Sequence, residues 1–307
     1  MYEEAGLPPG VLNFVTGSGG VVGNALIADP RVRAVSFTGG VETGREVYVR
    51  GAQGLKMVHL ELGGKNPVVV MDDADLSLLL DGVLFGAFGT SGQRCTATSR
   101  LVLHSRVYDE FLGMLDERLD KFTVGDPLDP ATGMGPVASA DQERKILEYI
   151  EVGKHEAKLR RGGEKLTGGI YDRGYFIAPT VFETQHGTRI SKEEIFGPVL
   201  SVLRAKSYDE AIHIANDVEY GLSSSIYTRD VNLAFRAIQE LEAGITYVNA
   251  PTIGAEVQLP FGGVKNTGNG GREAGSQAIE EFTEIKTVFI DFSAKLQKAQ
   301  IDSESAA

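Results

Sequence analysis

A chain of 307 residues with a formal net charge of −12 and 42% hydrophobic residues is long enough for a sizeable core and for one domain or two. The acidic balance argues against nucleic acid, whose phosphates call for a basic face, and no apolar run approaches the roughly 18–20 residues of a membrane span. Its single cysteine, Cys95, excludes an internal disulfide, and the opening MYEEAGLPPG lacks the basic flank and apolar core of a signal peptide, so a soluble, cytoplasmic protein is expected.

In chain order, the opening reads as a helix leading into a strand, VLNFV (11–15), with no earlier strand beside it. A Gly-rich turn and the apolar run VVGNALIA (21–28) follow. RAVSFT (33–38) reads as a strand and GGVETG opens a helix to about residue 50, with KMVHLEL (56–62) and NPVVVMD (66–72) as further strands. Apolar residues at three- and four-residue spacing predict helices over 75–87, 106–121, 139–159, 207–217 and 230–243. SRLVLH (99–104), PVLSVLRA (198–205), SSSIYT (223–228) and ITYVN (245–249) are predicted strands, and the end at SESAA is a polar tail. This alternation predicts an α/β fold with a parallel, helix-covered sheet.

The chemistry-bearing candidates begin with Cys95, in GTSGQRCTATSR (89–100). A lone cysteine is ordinarily a small buried hydrophobe. Here its neighbours are small and polar, Gly92 would let backbone approach a ligand, and Arg94 would favour the nucleophilic thiolate. In LELGGKNP (60–67), Glu61 ends an apolar strand before two glycines, which suits a general base or a surface carboxylate at a turn. In EEIFGPV (193–199), Glu194 and Phe196 set a hydroxyl acceptor beside a ring, or mark an ordinary helix-to-strand turn. GSGGVVG (17–23) and FTGGVETG (37–44) are both strand-to-helix turns suited to phosphate or to plain connection, and the first has the weak spacing GxGxxxG. Five scattered histidines without cysteine partners predict no metal site, and His59 and Glu61 form an HxE with no CxxC downstream.

FTGGVETG, LELGGKNP, GQRCTATSR, EEIFGPV, YGLSSSIYT, YVNAP and PFGGVKNTGNGGREAG, in this order and at these distances, resemble the aldehyde dehydrogenase superfamily from the first residues to about 293. The resemblance implies a remnant of a Rossmann-like cofactor domain joined to a complete α/β catalytic domain. It implies oxidation of an aldehyde to a carboxylic acid with NAD or NADP through a cysteine thioester. Cys95 would be the nucleophile, its backbone N–H an oxyanion donor, and Glu61 the base that activates water. Gly19, Gly20 and Gly23 would line the adenine, Gly39, Gly40 and Gly44 would meet the pyrophosphate, and Phe37 and Leu62 would flank the cofactor. Glu194 would hold the nicotinamide-side ribose and Phe196 the nicotinamide ring. Asn249 would lie near the substrate, and Glu273 would assist proton movement or order the site.

The implied division is 1–63 for the cofactor part, 64–262 for the catalytic domain, 263–283 for a return to the first, 284–295 for an oligomerisation strand containing KTVFIDF (286–292), and 296–307 for a tail. The family pattern also has an earlier Asn that completes the oxyanion hole and an earlier Lys that holds the adenosine ribose, and no stretch here matches either. The resemblance is therefore to a C-terminal portion, expected to bind NAD(P) poorly and turn over little aldehyde alone, and to form a homo-oligomer when the earlier part is present. The alternative is a catalytically silent relative acting as an assembly or regulatory subunit, and an acylating enzyme is disfavoured because Glu61 is there to activate water. The segment NAPTIGAEVQLPFGG points to small semialdehydes, with Arg94 facing a distal carboxylate or engaged in a structural salt bridge.

Overall fold

The computed structural model describes residues 1–296. The expected tail therefore lies outside the described residues, apart from Leu296. The opening differs from expectation. Residues 1–18 are turns and irregular chain with neither a helix nor a strand at 11–15, and Val11, Leu12, Phe14 and Val15 are exposed. A strand needs a ladder partner, and these residues have none among the described residues.

Regular structure begins at Gly19–Gly23, one wide π-type turn that runs into α1 (Asn24–Ala28). Strand β1 (Ala34–Thr38), helix α2 (Val41–Gln53) and strand β2 (Met57–Glu61) form one unit of parallel strands and a crossover helix, with Thr38 opposite Glu61. Gly44 lets α2 lie against the strand end, because a Cβ there would collide with Leu62. Ile27, Val47, Leu60 and Leu62 make the small core of this unit.

The chain then enters a seven-stranded sheet. In order along the chain come β3 (Asn66–Val70), α3 (Leu76–Phe88), β4 (Thr98–His104), α4 (Tyr108–Leu119), α5 (Ala140–Glu156), β5 (Lys158–Arg161) and β6 (Thr180–Glu183). They are followed by α6 (Arg189–Lys192), β7 (Val199–Ala205), α7 (Tyr208–Asn216), β8 (Tyr220–Gly221), β9 (Ser223–Tyr227), α8 (Val231–Glu240), β10 (Ile245–Val248), β11 (Val264–Lys265) and α9 (Gln277–Glu281). The sheet order is β10-β9-β3-β4-β7-β6-β5, parallel except for the β5–β6 pair. Central strands of such a sheet are covered on both faces and so are apolar throughout. Val68 and Val70 point into one core with Leu79, Val83, Phe111 and Leu115 of α3 and α4, while Val69 points into the other with Ile212 and Ala237 of α7 and α8. Asp75, Ser139, Ser207 and Asp230 each accept a backbone N–H at the start of α3, α5, α7 and α8, which fixes those helix boundaries.

Three further departures have physical causes. Helix α5 stops at Glu156, short of the expected 159, because Lys158 begins β5. Strands β5 and β6 were not expected. Their signal is short and charge-rich, and Arg160 of β5 is instead fixed by Asp116 and Glu183. Residues 286–292 form no ladder with the described residues, and Val288, Phe289, Ile290 and Phe292 are exposed.

The two sheets meet at residues 62–65. The outer edge of β2 is closed by a segment from far along the chain. Leu62 N donates to Thr267 O (2.7 Å), Leu60 N to Asn269 Oδ1 (3.0 Å), and Asn269 Nδ2 to Val58 O (2.6 Å).

Candidate active site

Cys95 sits in the loop between α3 and β4, half-buried. Asn66, at the start of β3, anchors that loop: its Nδ2 donates to Cys95 O and to Ala97 O, both at 2.8 Å, while its Oδ1 accepts from Ser223 N (3.1 Å). Behind the loop, Thr252 Oγ1 donates to Thr96 O (2.7 Å) and lies 2.9 Å from Thr98 Oγ1. The stretch after β10 therefore braces the cysteine loop. Asn249 itself is exposed, with a left-handed φ of 53°, and its amide is taken up by both backbone groups of Thr228.

The junction 62–65 brings three of the expected residues together. Gly63 carries Glu194, whose carboxylate would collide with any Cβ there, and Gly64 N donates to Glu194 Oε1 (2.9 Å). On Gly64 a Cβ would sit 2.7 Å from Cys95 O. One pair of glycines thus lets the strand end pass between Glu194 and the cysteine. Thr267 Oγ1 fixes the same turn by donating to Gly63 O (2.9 Å).

Glu61 is 2% exposed, and neither carboxylate oxygen has a hydrogen-bond partner among the described residues. Burial, reinforced by the like charge of Glu273 and opposed by Arg272, pushes its carboxyl up to about 8. Its charge reaches the Cys95 thiol, which is itself pushed up, first by burial and then by Glu61 and Glu194. Only the backbone N–H groups of Thr96 and of Cys95 work the other way. The expectation that Arg94 confers thiolate character is thus corrected. Arg94 is exposed, and the groups that set the thiol's proton affinity are Glu61, Glu194 and the backbone around the sulfur. Gly92 is corrected too. At φ 63° a Cβ would collide with the Gly197 carbonyl, so this residue admits another stretch of the protein's own backbone.

Phe196 follows Glu194 with a left-handed φ of 59°, an uncommon state for a bulky residue. Gln142 holds it, its Nε2 donating to Phe196 O (2.8 Å) and Ile195 O (3.1 Å). Glu194 is raised above its ordinary value by burial. Lys65 is wholly buried with no hydrogen-bond partner for Nζ among the described residues, and burial together with Arg100 brings it down to about 7.

On the other side of the junction, a cleft of about 430 Å³ is lined by Gly19, Gly20, Gly23, Phe37, Thr43 and Glu46, among others. Open space surrounds the missing Cβ positions of Gly19, Gly20, Gly23 and Gly40. Helix α2 starts at Gly40 with no side chain capping its first N–H groups. The cleft, these bare glycines and the orphan donors fit a dinucleotide. Gly39 and Gly44 instead face the protein, against Phe37 and Leu62. Far from all this, His186, His213 and Asp217 bring possible ligand atoms within 4.8 Å of one another, but Asp217 already accepts from Lys192 and His186, and these two hold its carboxyl at about 2.

Among these residues Asn66, Thr267 and Lys65 carried no signal separable from the motifs around them. His59 was visible only as half of an HxE, although it is 5% exposed and neither ring nitrogen has a hydrogen-bond partner among the described residues. Asn66→Ala is expected to cost roughly 1–3 kcal/mol, since it orphans buried carbonyls. It should also slow alkylation of Cys95 by a small electrophile, with urea midpoints and labelling rates as the checks.

The sequence model described as the Aldehyde dehydrogenase family matches residues 1–288. An alpha-ketoglutaric semialdehyde dehydrogenase from Bacillus subtilis is 47% identical over 94% of this chain and 60% of its own length. The crystal structure of HpcC from Thermus thermophilus superposes with a TM-score of 0.89 at 43% identity, covering 93% of this chain and 56% of that one. A Staphylococcus aureus betaine aldehyde dehydrogenase solved in complex with NAD+ gives 0.87 at 37% identity, over 91% and 55%. The chain thus spans about 60% or less of the length of these relatives.

Proposed function

The chain belongs to the aldehyde dehydrogenase family, and on that premise we propose that it carries the thiol, the base and part of the cofactor site of an NAD(P)-dependent oxidation of aldehydes to carboxylic acids. The observation that carries this reading is the junction at Gly63–Gly64, which donates to Glu194 and packs closely under the Cys95 carbonyl, two and three residues from the buried Glu61.

Cys95 Sγ attacks the carbonyl carbon, and the backbone N–H groups of Cys95 and Thr96, already directed at the sulfur, favour negative charge there. A bound dinucleotide supplies the hydride acceptor. Residues fit to hold it are Glu194 and Phe196 at one end, with Gly19, Gly20 and Gly23 along the open cleft and Gly40 at the uncapped start of α2. The acyl group remains on Cys95 as a thioester, and Glu61 as carboxylate takes a proton from the water that hydrolyses it. Assigning 1–63 and 263–283 to a cofactor part around 64–262 accords with the closing of the β2 edge by Thr267 and Asn269.

A semialdehyde with a distal carboxylate is the favoured substrate class. The Bacillus relative points to it, and Arg94 is exposed beside Cys95 with no ion pair among the described residues. The exposed row Val288, Phe289, Ile290 and Phe292 favours a contact between copies, against which a monomer in light scattering would count.

The test uses activated esters, which need no hydride acceptor. p-Nitrophenyl acetate should release one equivalent of nitrophenolate per chain in a burst and leave the acyl group on Cys95, located by peptide mass spectrometry. An ester bearing a distal carboxylate should acylate faster, with Arg94→Gln removing the difference. Acylation elsewhere, or none at all, would end this reading.

A further inference from the structure

Beside Glu61, and two residues before it on β2, the His59 ring is enclosed by three carboxylates. Its Nε2 lies 3.6 Å from Glu61 Oε1 and 3.9 Å from Glu273 Oε1, and its Nδ1 lies 3.4 Å from Glu281 Oε2. The ring is buried, while Glu273 and Glu281 are 38% and 31% exposed. Room for it is made by Gly271, where a Cβ would collide with Nδ1. A buried imidazole with neither nitrogen aligned in a hydrogen bond is a costly arrangement, and such exceptions call for an explanation.

We propose that His59 is a positioning residue that carries the proton of Glu61 outward, taking it at Nε2 and passing it from the same nitrogen to Glu273. This rests on the assignment of Glu61 as the base. The bookkeeping closes without any further reactant. Glu61 loses a proton to Nε2, the ring becomes imidazolium, Nε2 gives the proton to Glu273 Oε1, and the ring returns to its starting tautomer. Throughout, Nδ1 keeps its hydrogen, with the Glu281 carboxylate 3.4 Å away as the charge that favours this tautomer. From Glu273, where Ser36 Oγ also donates (3.2 Å), the proton reaches water.

The need for such a path follows from the site. Glu61 has no hydrogen-bond partner among the described residues and is only 2% exposed, so in neutral solution it carries a proton that must leave before it can act on water. The groups that face this pair are Glu273 and Arg272 from the 262–276 segment, Glu281 from α9, and Cys95 across the junction.

The test follows decay of acyl-Cys95, preformed with p-nitrophenyl acetate on the full chain, at pH 7 and pH 9.5. His59→Gln should slow decay about tenfold at pH 7 and less than twofold at pH 9.5, where Glu61 is already ionised. Glu273→Gln should show the same pH signature, and the double variant should lose no more than His59→Gln alone, because both lie on one path. Equal slowing at both pH values would mean a purely structural role and overturn the proposal, as would no slowing at either. Should His59→Gln fail to fold, His59→Asn and Glu281→Gln carry the same comparison. Glu61→Gln separates the two levels. If it decays as wild type does, the base assignment itself fails, whereas a stable acyl form in Glu61→Gln with normal decay in His59→Gln defeats the relay alone.

Discussion

Replacing Glu61 with glutamine is expected to leave acylation of Cys95 intact and to slow release of the acyl group by about 10²–10⁴-fold. The chain should then accumulate as a stable thioester. In the unsubstituted protein, release needs the carboxylate form, and the carboxyl stands at about 8. The rate should rise about tenfold per pH unit below that value and level off above it, and the variant should lose the dependence. Acylation behaves differently. It needs the thiolate, and Glu61 is among the groups that hold the Cys95 proton on. Glu61→Gln should therefore shift acylation to lower pH while deacylation collapses, two opposite changes from one substitution that stopped-flow nitrophenolate release and mass spectrometry separate. Stability gives an independent reading. A carboxyl raised from 4.5 to about 8 keeps its proton in the folded chain and loses it in the unfolded one across that window, so stability falls as pH rises through it. Melting curves should show Glu61→Gln gaining more at pH 8 than at pH 5.

The second large effect is expected at Gly92. Alanine there must adopt a φ of 63° and place its Cβ against the Gly197 carbonyl, and backbone on both sides leaves little room to give. A loss of roughly 3 kcal/mol or more is expected, in the range reserved for overpacking combined with backbone strain. The damage should be local as well as global, because this is where the cysteine loop rests on the chain that carries Glu194 and Phe196. Cys95 acylation should fall even in conditions where the variant is folded. Gly113, exposed in the middle of α4 with open space at its Cβ, is the control. Alanine there should stabilise by about 0.5–1 kcal/mol. Urea denaturation of both variants makes the comparison, and equal midpoints would show that the backbone packing at Gly92 is unimportant.

Much of this molecule was legible in its sequence, for physical reasons that differ from place to place. Val68 to Val70 announce a strand covered on both faces, and the periodicity of 75–87 or 207–217 announces helices, because burial follows pattern. Glu61, Cys95 and Glu194 could be picked out by type and setting. What holds them together could not. Asn66 binds the cysteine loop through two of its carbonyls and ties it to Ser223 of β9, and nothing in a linear reading separates it from any other asparagine at a strand start. The opening strand failed because VLNFV has strand composition but no neighbour, and pairing is not a local property. Strands β5 and β6 escaped because their charged residues are satisfied by distant partners such as Asp116. The charge state of the thiol was misjudged for a similar reason: Arg94 is adjacent in sequence but points outward, while Glu61 and Glu194 arrive from 34 residues before and 99 residues after.

The four residues from Leu62 to Lys65 are the first of two places where the chain passes between the small two-stranded unit and the large sheet, and they follow directly on the base. A rotation of one unit against the other would pivot at this point and drag Glu61 across Cys95. The Thr267 hydroxyl on Gly63 and the Asn66 amide on Cys95 act as pins on either side of the pivot. With both pins in place, such a rotation has to break two hydrogen bonds before it moves the base against the nucleophile.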